Sequence, residues 1–199
     1  EERWNIRTHG FGILASILGS FFLIQKANTS FELLASIIFG SSLIILYLAS
    51  TLYHAATDEE KRTKLRIFDH AAIFILIAGT YTPICMISLQ KSWGVPLLIV
   101  TWSIAILGIM LKLFFTGKYD RASTILYVGM GWIAIVAIKP LLEAFPIEPL
   151  LWLLAGGICY TTGAVIYSFR KIPFNHAIFH VFVLGGSLCH YIMIYRYVI

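Results

Sequence analysis

The sequence predicts an all-α membrane protein, a bundle of seven transmembrane helices with the N-terminus in the cytoplasm and the C-terminus outside. The first observation is composition. The 199 residues are 59% hydrophobic and only 13% charged, whereas soluble domains carry about 25% charged residues. The second is a series of seven apolar runs, each near the roughly 20 residues that span a bilayer. The third is the concentration of basic residues on one side of these runs. We therefore expect one domain, residues 1–199.

The seven apolar runs are joined by short connections, so sequential helices should be antiparallel neighbours. The third run contains Pro83, which predicts a kink, with threonine hydroxyls near it bonding freed carbonyl groups. The seventh begins just after Pro173, and Asn175 is expected to be its N-cap. The predicted helices lie near Thr8–Ile24, Phe31–Ala56, Phe68–Leu89, Pro96–Phe115, Ala122–Ile138, Leu150–Phe169 and Asn175–Tyr197.

The orientation follows from the basic residues. Eleven of the 15 lysines and arginines lie on one side: ten before the first run or between runs two and three, four and five, or six and seven, and one, Lys112, in the last turn of run four. These segments share one side, which is predicted to face the cytoplasm. The net charge of +5 thus reflects topology. We expect no nucleic-acid partner, because no polar stretch alternates basic and aromatic residues.

Other classes are excluded by single features. The three cysteines, Cys85, Cys159 and Cys189, are an odd number in apolar runs, which argues against a disulfide framework and favours buried hydrophobic side chains. A retinal protein needs a lysine in the middle of the last helix, and the seventh run has none. A G-protein-coupled receptor needs the opposite orientation.

Ionisable residues inside the predicted helices mark a candidate site, because each costs a few kcal/mol in a bilayer. His54 lies near the cytoplasmic end of helix two and Asp69 near that end of helix three. His176 and His180 lie at the start of helix seven, on one helix face and close enough to share a metal ion. The topology brings all four to one level of the inner leaflet, so we expect the three histidines to bind one zinc ion.

The expected chemistry follows from the ligand set. Three imidazoles leave one tetrahedral position open, which is typical of catalytic zinc. Asp69, interpreted as the only carboxylate within a span at this level, would act as general base. Ser50, one turn before His54, would orient water or a substrate carbonyl. The alternatives are a polar network that only packs helices and, for Ser50, a hydrogen bond to a carbonyl of its own helix.

Four further polar residues are placed outside the site. His70 is about 100° around the helix from Asp69 and is expected to face elsewhere. His190 is about 15 Å farther along its helix than His180. It is expected to be a packed or hydrogen-bonded core residue, the alternative being that it lines a cavity. His9 has the right depth but no partner spacing. Asp58 opens a charged loop and is expected to be solvated.

These residues resemble a known family. The segments S-T-L-Y-H (Ser50–His54), R-I-F-D-H with Asp69, and H-A-I-F-H (His176–His180) are similar to the signature of the hemolysin III and progestin/adipoQ receptor (PAQR) family. T-H-G-F-G near the N-terminus resembles the start of bacterial members. The resemblance covers essentially the whole chain in motif order and helix count.

The resemblance implies a seven-helix fold with zinc held by His54, His176 and His180, and with Ser50 and Asp69 at the site. It also implies kinship with alkaline ceramidases and a multi-pass protein of the bacterial plasma membrane. Three functions are considered. The first is a zinc-dependent hydrolase of a membrane lipid, cleaving a ceramide-type amide. The second is a non-enzymatic receptor or regulator of membrane lipid homeostasis with structural zinc. The third is a cytolysin.

Overall fold

The computed structural model describes residues 1–116, 120–169 and 171–199. Within them, seven helical stretches are long and apolar enough to cross a membrane, which confirms the predicted fold class. The orientation remains a prediction from the basic residues. A π-helical segment, Ile84–Ser88, extends the third helix. The α-helices are α1 (Glu2–Lys26), α2 (Ser30–Ala55), α3 (Glu59–Pro83), α4 (Lys91–Phe115), α5 (Asp120–Gly131), α6 (Ile138–Ala144), α7 (Ile147–Ser168) and α8 (Asn175–Tyr197).

Two helices extend well beyond the apolar runs that predicted them. α1 begins at Glu2, whereas the predicted start was Thr8, and α3 begins at Glu59 instead of Phe68. Hydropathy detects the part of a helix that lies in hydrocarbon, so a charged first turn leaves no hydropathy signal. These extensions carry Glu2 and Arg62 to the end of the bundle where the site histidines lie.

The fifth span is interrupted, although the sequence predicts one helix over Ala122–Ile138. α5 ends at Gly131, a 3-10 segment covers Ile133–Ala137, and α6 completes the crossing. The break exposes backbone groups that must be satisfied in a membrane. The Tyr81 hydroxyl of α3 does this, donating to the Gly131 carbonyl at 2.8 Å and accepting from the Ala134 N–H at 2.9 Å.

The helix changes geometry directly after Pro83, and the predicted kink stays a prediction. α3 ends at Pro83 and continues as the π-helical segment, a common response to a lost backbone hydrogen bond. The hydroxyls of Thr80 and Thr82 donate to carbonyl groups one turn earlier in the helix, at 2.8 and 2.9 Å. These bonds reach the carbonyls of Leu76 and Ala78. Pro83 frees the carbonyl of Gly79, so the predicted bond to a freed carbonyl is not among them.

The start of α8 corrects one prediction. Asn175 is not the N-cap but the first helical residue, and Phe174 precedes it with φ 56° in the left-handed region. The Asn175 side chain donates instead to the carbonyl of Tyr167 at 3.0 Å. This bond ties the start of α8 to the end of α7 and so fixes the two histidines that follow.

The bundle brings the first and last helices together. α1 packs against both α2 and α8, α8 packs against α7, and α3 lies between α2 and α4. α5 contacts α3 and α7. α3 is the most buried of the described spans, with 67% of its most apolar window inside the bundle. The three cysteines are free.

Candidate metal centre

Three histidines meet at one end of the bundle. His54 lies in the last turn of α2, and His176 and His180 lie in the first two turns of α8. One nitrogen from each ring lies within 4.8 Å of those of the other two. The ring centroids are 4.7 Å apart for His54–His176 and His176–His180, and 5.0 Å apart for His54–His180.

The histidines fit a three-nitrogen metal site. Nitrogens bound to one tetrahedral zinc ion at roughly 2.0–2.1 Å are about 3.4 Å apart. Rearrangements of about 1 Å would therefore close the rings on an ion. His54 Nε2 is buried and has no hydrogen-bond partner among the described residues. A buried nitrogen of this kind is costly unless a ligand or water satisfies it.

Asp69 and Ser50 are also buried, and Ser50 lies one turn before His54 in α2. Asp69 of α3 is 8% exposed and Ser50 of α2 is 1% exposed. The Ser50 hydroxyl faces the Asp69 carboxyl, but it has no hydrogen bond of regular geometry in the described part of the chain. The bond from Ser50 to its own helix, which the sequence left open, is therefore not observed. Both residues line the same cavity as His176 and His180.

A second carboxylate reaches the cluster, contrary to the expectation that Asp69 alone would do so. Glu2 Oε2 lies 2.5 Å from His54 Nδ1. The other Glu2 oxygen accepts a hydrogen bond from Arg62. The prediction was wrong because it started α1 at Thr8 and left Glu2 outside the helix.

His9 also lies at the cluster, although it has no partner histidine at ligand spacing in its own helix. Its ring stacks on His180, with centroids 3.5 Å apart and planes 10° apart. It is 2% exposed, and neither ring nitrogen has a hydrogen-bond partner among the described residues. A sequence signal was available, because Glu2, Asn5 and His9 recur at helical spacing along one face of α1.

The predictions for three further polar residues have different outcomes. His70 was expected to face elsewhere, but it lines the same cavity as Asp69. Cavity-lining residues of one helix can spread over more than 100° of its surface, so the angular argument was too strict. His190 is hydrogen-bonded as predicted, with Nε2 3.1 Å from the Leu153 carbonyl oxygen, and it also lines the cavity. Asp58 is exposed and caps α3 by accepting from the Lys61 N–H at 2.8 Å.

The cavity beside the histidines has a volume of about 270 Å³ and is lined mainly by residues of α3, α5, α7 and α8, with a few residues from the other helices. His9, Ser50, Asp69, His176 and His180 form its polar end. Most of the lining toward the other end is apolar, and it reaches the side chains at the start of α7. Its far wall includes Ile138, Leu141, Leu150, Leu153 and Leu154. The cavity therefore connects a polar end, which includes two of the candidate metal ligands, to an apolar compartment.

The fold and the site define an integral membrane protein with seven membrane-spanning stretches in its described residues and a histidine cluster at one end of the bundle. A family model described as "Haemolysin-III related" matches residues 1–191, so the chain belongs to that family. It is 42% identical over 200 residues to "Hemolysin-3 homolog" of Bacillus subtilis (strain 168), covering 99% of this chain and 94% of that protein.

The similarity extends further. The chain is 44% identical over 202 residues to "Hemolysin-3" of Bacillus cereus, covering 100% of this chain and 92% of that protein. It is 27% identical over 211 residues to human "Monocyte to macrophage differentiation factor", covering 99% and 84%. These matches confirm the hemolysin III and PAQR resemblance and support a multi-pass location in the plasma membrane.

Proposed function

We propose that this protein is a zinc-dependent hydrolase that cleaves an amide bond of a membrane lipid of the ceramide type. The observation that carries the proposal is a cluster of three histidines, two of which line an apolar cavity together with a buried carboxyl and a buried hydroxyl. His54, His176 and His180 would hold the ion. When bound, zinc would supply a Lewis acid and an activated water.

The other residues have roles that match their positions. Asp69 is buried and faces the same cavity end, where it accepts a proton and returns it to the leaving amine. Ser50 carries a hydroxyl without a regular hydrogen-bond partner in the described chain, so it is available to donate to the developing oxyanion. The apolar compartment accommodates part of an acyl chain and keeps bulk water away from the reacting carbonyl.

Zinc stoichiometry and lipid turnover test the proposal together. We expect about one zinc per chain in purified protein, measured by elemental mass spectrometry, and loss or strong weakening in His54→Ala, His176→Ala and His180→Ala. His190→Ala is the matched control, because it removes a cavity-lining histidine that bonds to Leu153 rather than to the cluster. It should keep its zinc.

Two outcomes would refute the proposal. Zinc that is absent, or indifferent to the three substitutions, would leave the histidines as a polar packing network. Zinc-loaded protein that turns over no amide or ester across a broad lipid panel would leave a metal site without hydrolysis.

A second function, a regulator of membrane lipid homeostasis with structural zinc, is favoured by the helices that the cluster joins. A metal ion here would tie α2 to α8, and the stacking of His9 on His180 would add α1. Asp69→Ala separates the two functions. The regulator keeps its zinc and its cellular phenotype in this variant, whereas the hydrolase keeps its zinc but loses turnover.

The third function, a cytolysin, is not supported by the fold. Seven apolar spans cannot pass through water as a soluble monomer. Lysis of target cells by purified protein at low concentration would bring this function back.

A further inference from the structure

The first turn of α1 carries a carboxylate, Glu2, that lies outside the motifs containing His54, Asp69, His176 and His180. Glu2 Oε2 lies 2.5 Å from Nδ1 of His54. The two side chains differ in environment, since His54 is 1% exposed and Glu2 is 46% exposed. The carboxylate therefore approaches the buried imidazole from the solvent-exposed side of the cluster.

The two nitrogens of His54 have separate surroundings. Nδ1 lies 2.5 Å from Glu2 Oε2 and 3.3 Å from Asn5 Nδ2, whose amide donates to the same Glu2 oxygen. Nε2 is buried without a hydrogen-bond partner in the described chain. A carboxylate only accepts hydrogen bonds, so Nδ1 must carry the proton in this contact. In the neutral ring, Nε2 then holds the lone pair. This is the nitrogen available to a metal ion.

Glu2 is itself held in place from two sides. Its Oε1 accepts from the Arg62 guanidinium of α3, and its Oε2 accepts from Asn5 Nδ2 at 3.3 Å. Arg62 also lies over the Tyr53 ring of α2, 4.9 Å from the centroid, and donates to the Ala56 carbonyl at 3.3 Å. The carboxylate thus sits in a network that spans α1, α2 and α3.

We propose that Glu2 is a positioning residue of the metal centre, orienting His54 so that Nε2 faces the ion, with Arg62 and Asn5 holding Glu2. The inference rests on the proposed zinc site and deepens it. Carboxylates that accept from the outer nitrogen of a metal-bound histidine fix its tautomer and raise its basicity, and their loss typically lowers metal affinity about 10- to 100-fold. Glu2 does not contact the ion.

Zinc affinity of the purified full chain in detergent, measured by chelator competition, tests this assignment. Glu2→Ala should weaken binding about 10- to 100-fold. Glu2→Gln should weaken it less, because the amide oxygen still accepts from Nδ1–H but carries no charge. Glu60→Gln is the matched control, since it removes a glutamate from an exposed ion pair with Lys64. It should bind within about twofold of the parent.

Two further readouts separate positioning from a general structural effect. Cobalt substitution reports ligand geometry directly, and the ligand-field bands should shift in Glu2→Ala and recover partly in Glu2→Gln. The melting temperature of the metal-free protein should be nearly the same for Glu2→Gln and the parent, while the rise on adding zinc should be smaller in the variant.

The outcomes distinguish this proposal from the one on which it rests. If Glu2→Ala binds zinc like the parent while His54→Ala loses it, the positioning role is wrong and the metal centre stands. Equal losses in Glu2→Ala and Glu60→Gln would also overturn the role, because they would show a nonspecific charge effect. If His54→Ala binds zinc like the parent, the metal centre itself fails.

Discussion

Gly156 allows a close approach between α7 and α8, and replacing it with alanine gives a worked prediction. A Cβ at this position would lie 2.2 Å from two atoms of the His190 ring, whereas ordinary contact begins at 3.4 Å. The ring or the helix must therefore move by about 1.2 Å, the difference between these values. His190 Nε2 lies 3.1 Å from the Leu153 carbonyl oxygen, so a movement of this size away from α7 breaks that bond.

The expected cost is the sum of two effects. A buried polar group that loses its partner costs about 1–3 kcal/mol, and overpacking of a tight contact costs about 1–3 kcal/mol. We expect Gly156→Ala to lower the free energy of unfolding by about 2–6 kcal/mol, the sum of these two ranges. For a chain of this length, that lowers the melting temperature by at least about 4 °C.

Thermal unfolding in detergent micelles, followed by circular dichroism, measures the effect. Gly157→Ala is the matched control, because its Cβ would meet the Trp132 ring at an ordinary 3.5 Å. The double substitution Gly156→Ala with His190→Ala should lose little more than His190→Ala alone, since the clash disappears with the ring. If Gly156→Ala has the melting temperature of the parent or of the control, the close contact between Gly156 and the His190 ring is refuted.

Three further predictions concern the candidate site. Asp69→Asn should retain zinc and lose about 10²- to 10⁴-fold in lipid turnover, because it removes the general base and leaves the histidines in place; full activity with full zinc would contradict this role. Ser50→Ala should also retain zinc and lose about 10²- to 10³-fold in kcat as an oxyanion donor, whereas Ser41→Ala, on the exposed face of α2, should leave turnover unchanged. Zinc occupancy should fall steeply as the pH drops from about 7 to about 5, because protons compete for histidine ligands; a site indifferent to pH in equilibrium dialysis would argue against histidine ligation.

The histidine cluster was predictable because the order and direction of the helices set how deep each residue lies in the membrane. Helices of alternating direction place the end of α2 and the starts of α3 and α8 at one membrane level. An i, i+4 pair such as His176 and His180 must share a helix face. These two constraints brought His54, Asp69 and the α8 pair together before any tertiary contact was known.

Residues on the polar ends of helices were harder to place, since they lack a hydropathy signal. Glu2 is charged and lies before the first apolar run, so nothing in that run indicates that α1 includes it. His9 has no partner within its own helix, and its stacking on His180 depends on α1 packing beside α8. Hydropathy gives no information about which nonsequential helices touch.

The sequence by itself determined an integral membrane bundle of seven spans and one polar level, because bilayer thickness and the cost of buried charge act on each helix separately. The tertiary structure decided which helices are neighbours, and therefore that Glu2 reaches His54 and His9 stacks on His180. It also decided that the fifth span breaks, where the Tyr81 hydroxyl of α3 satisfies the freed backbone groups. These contacts join residues far apart in the chain, so they depend on packing between helices rather than on any local pattern.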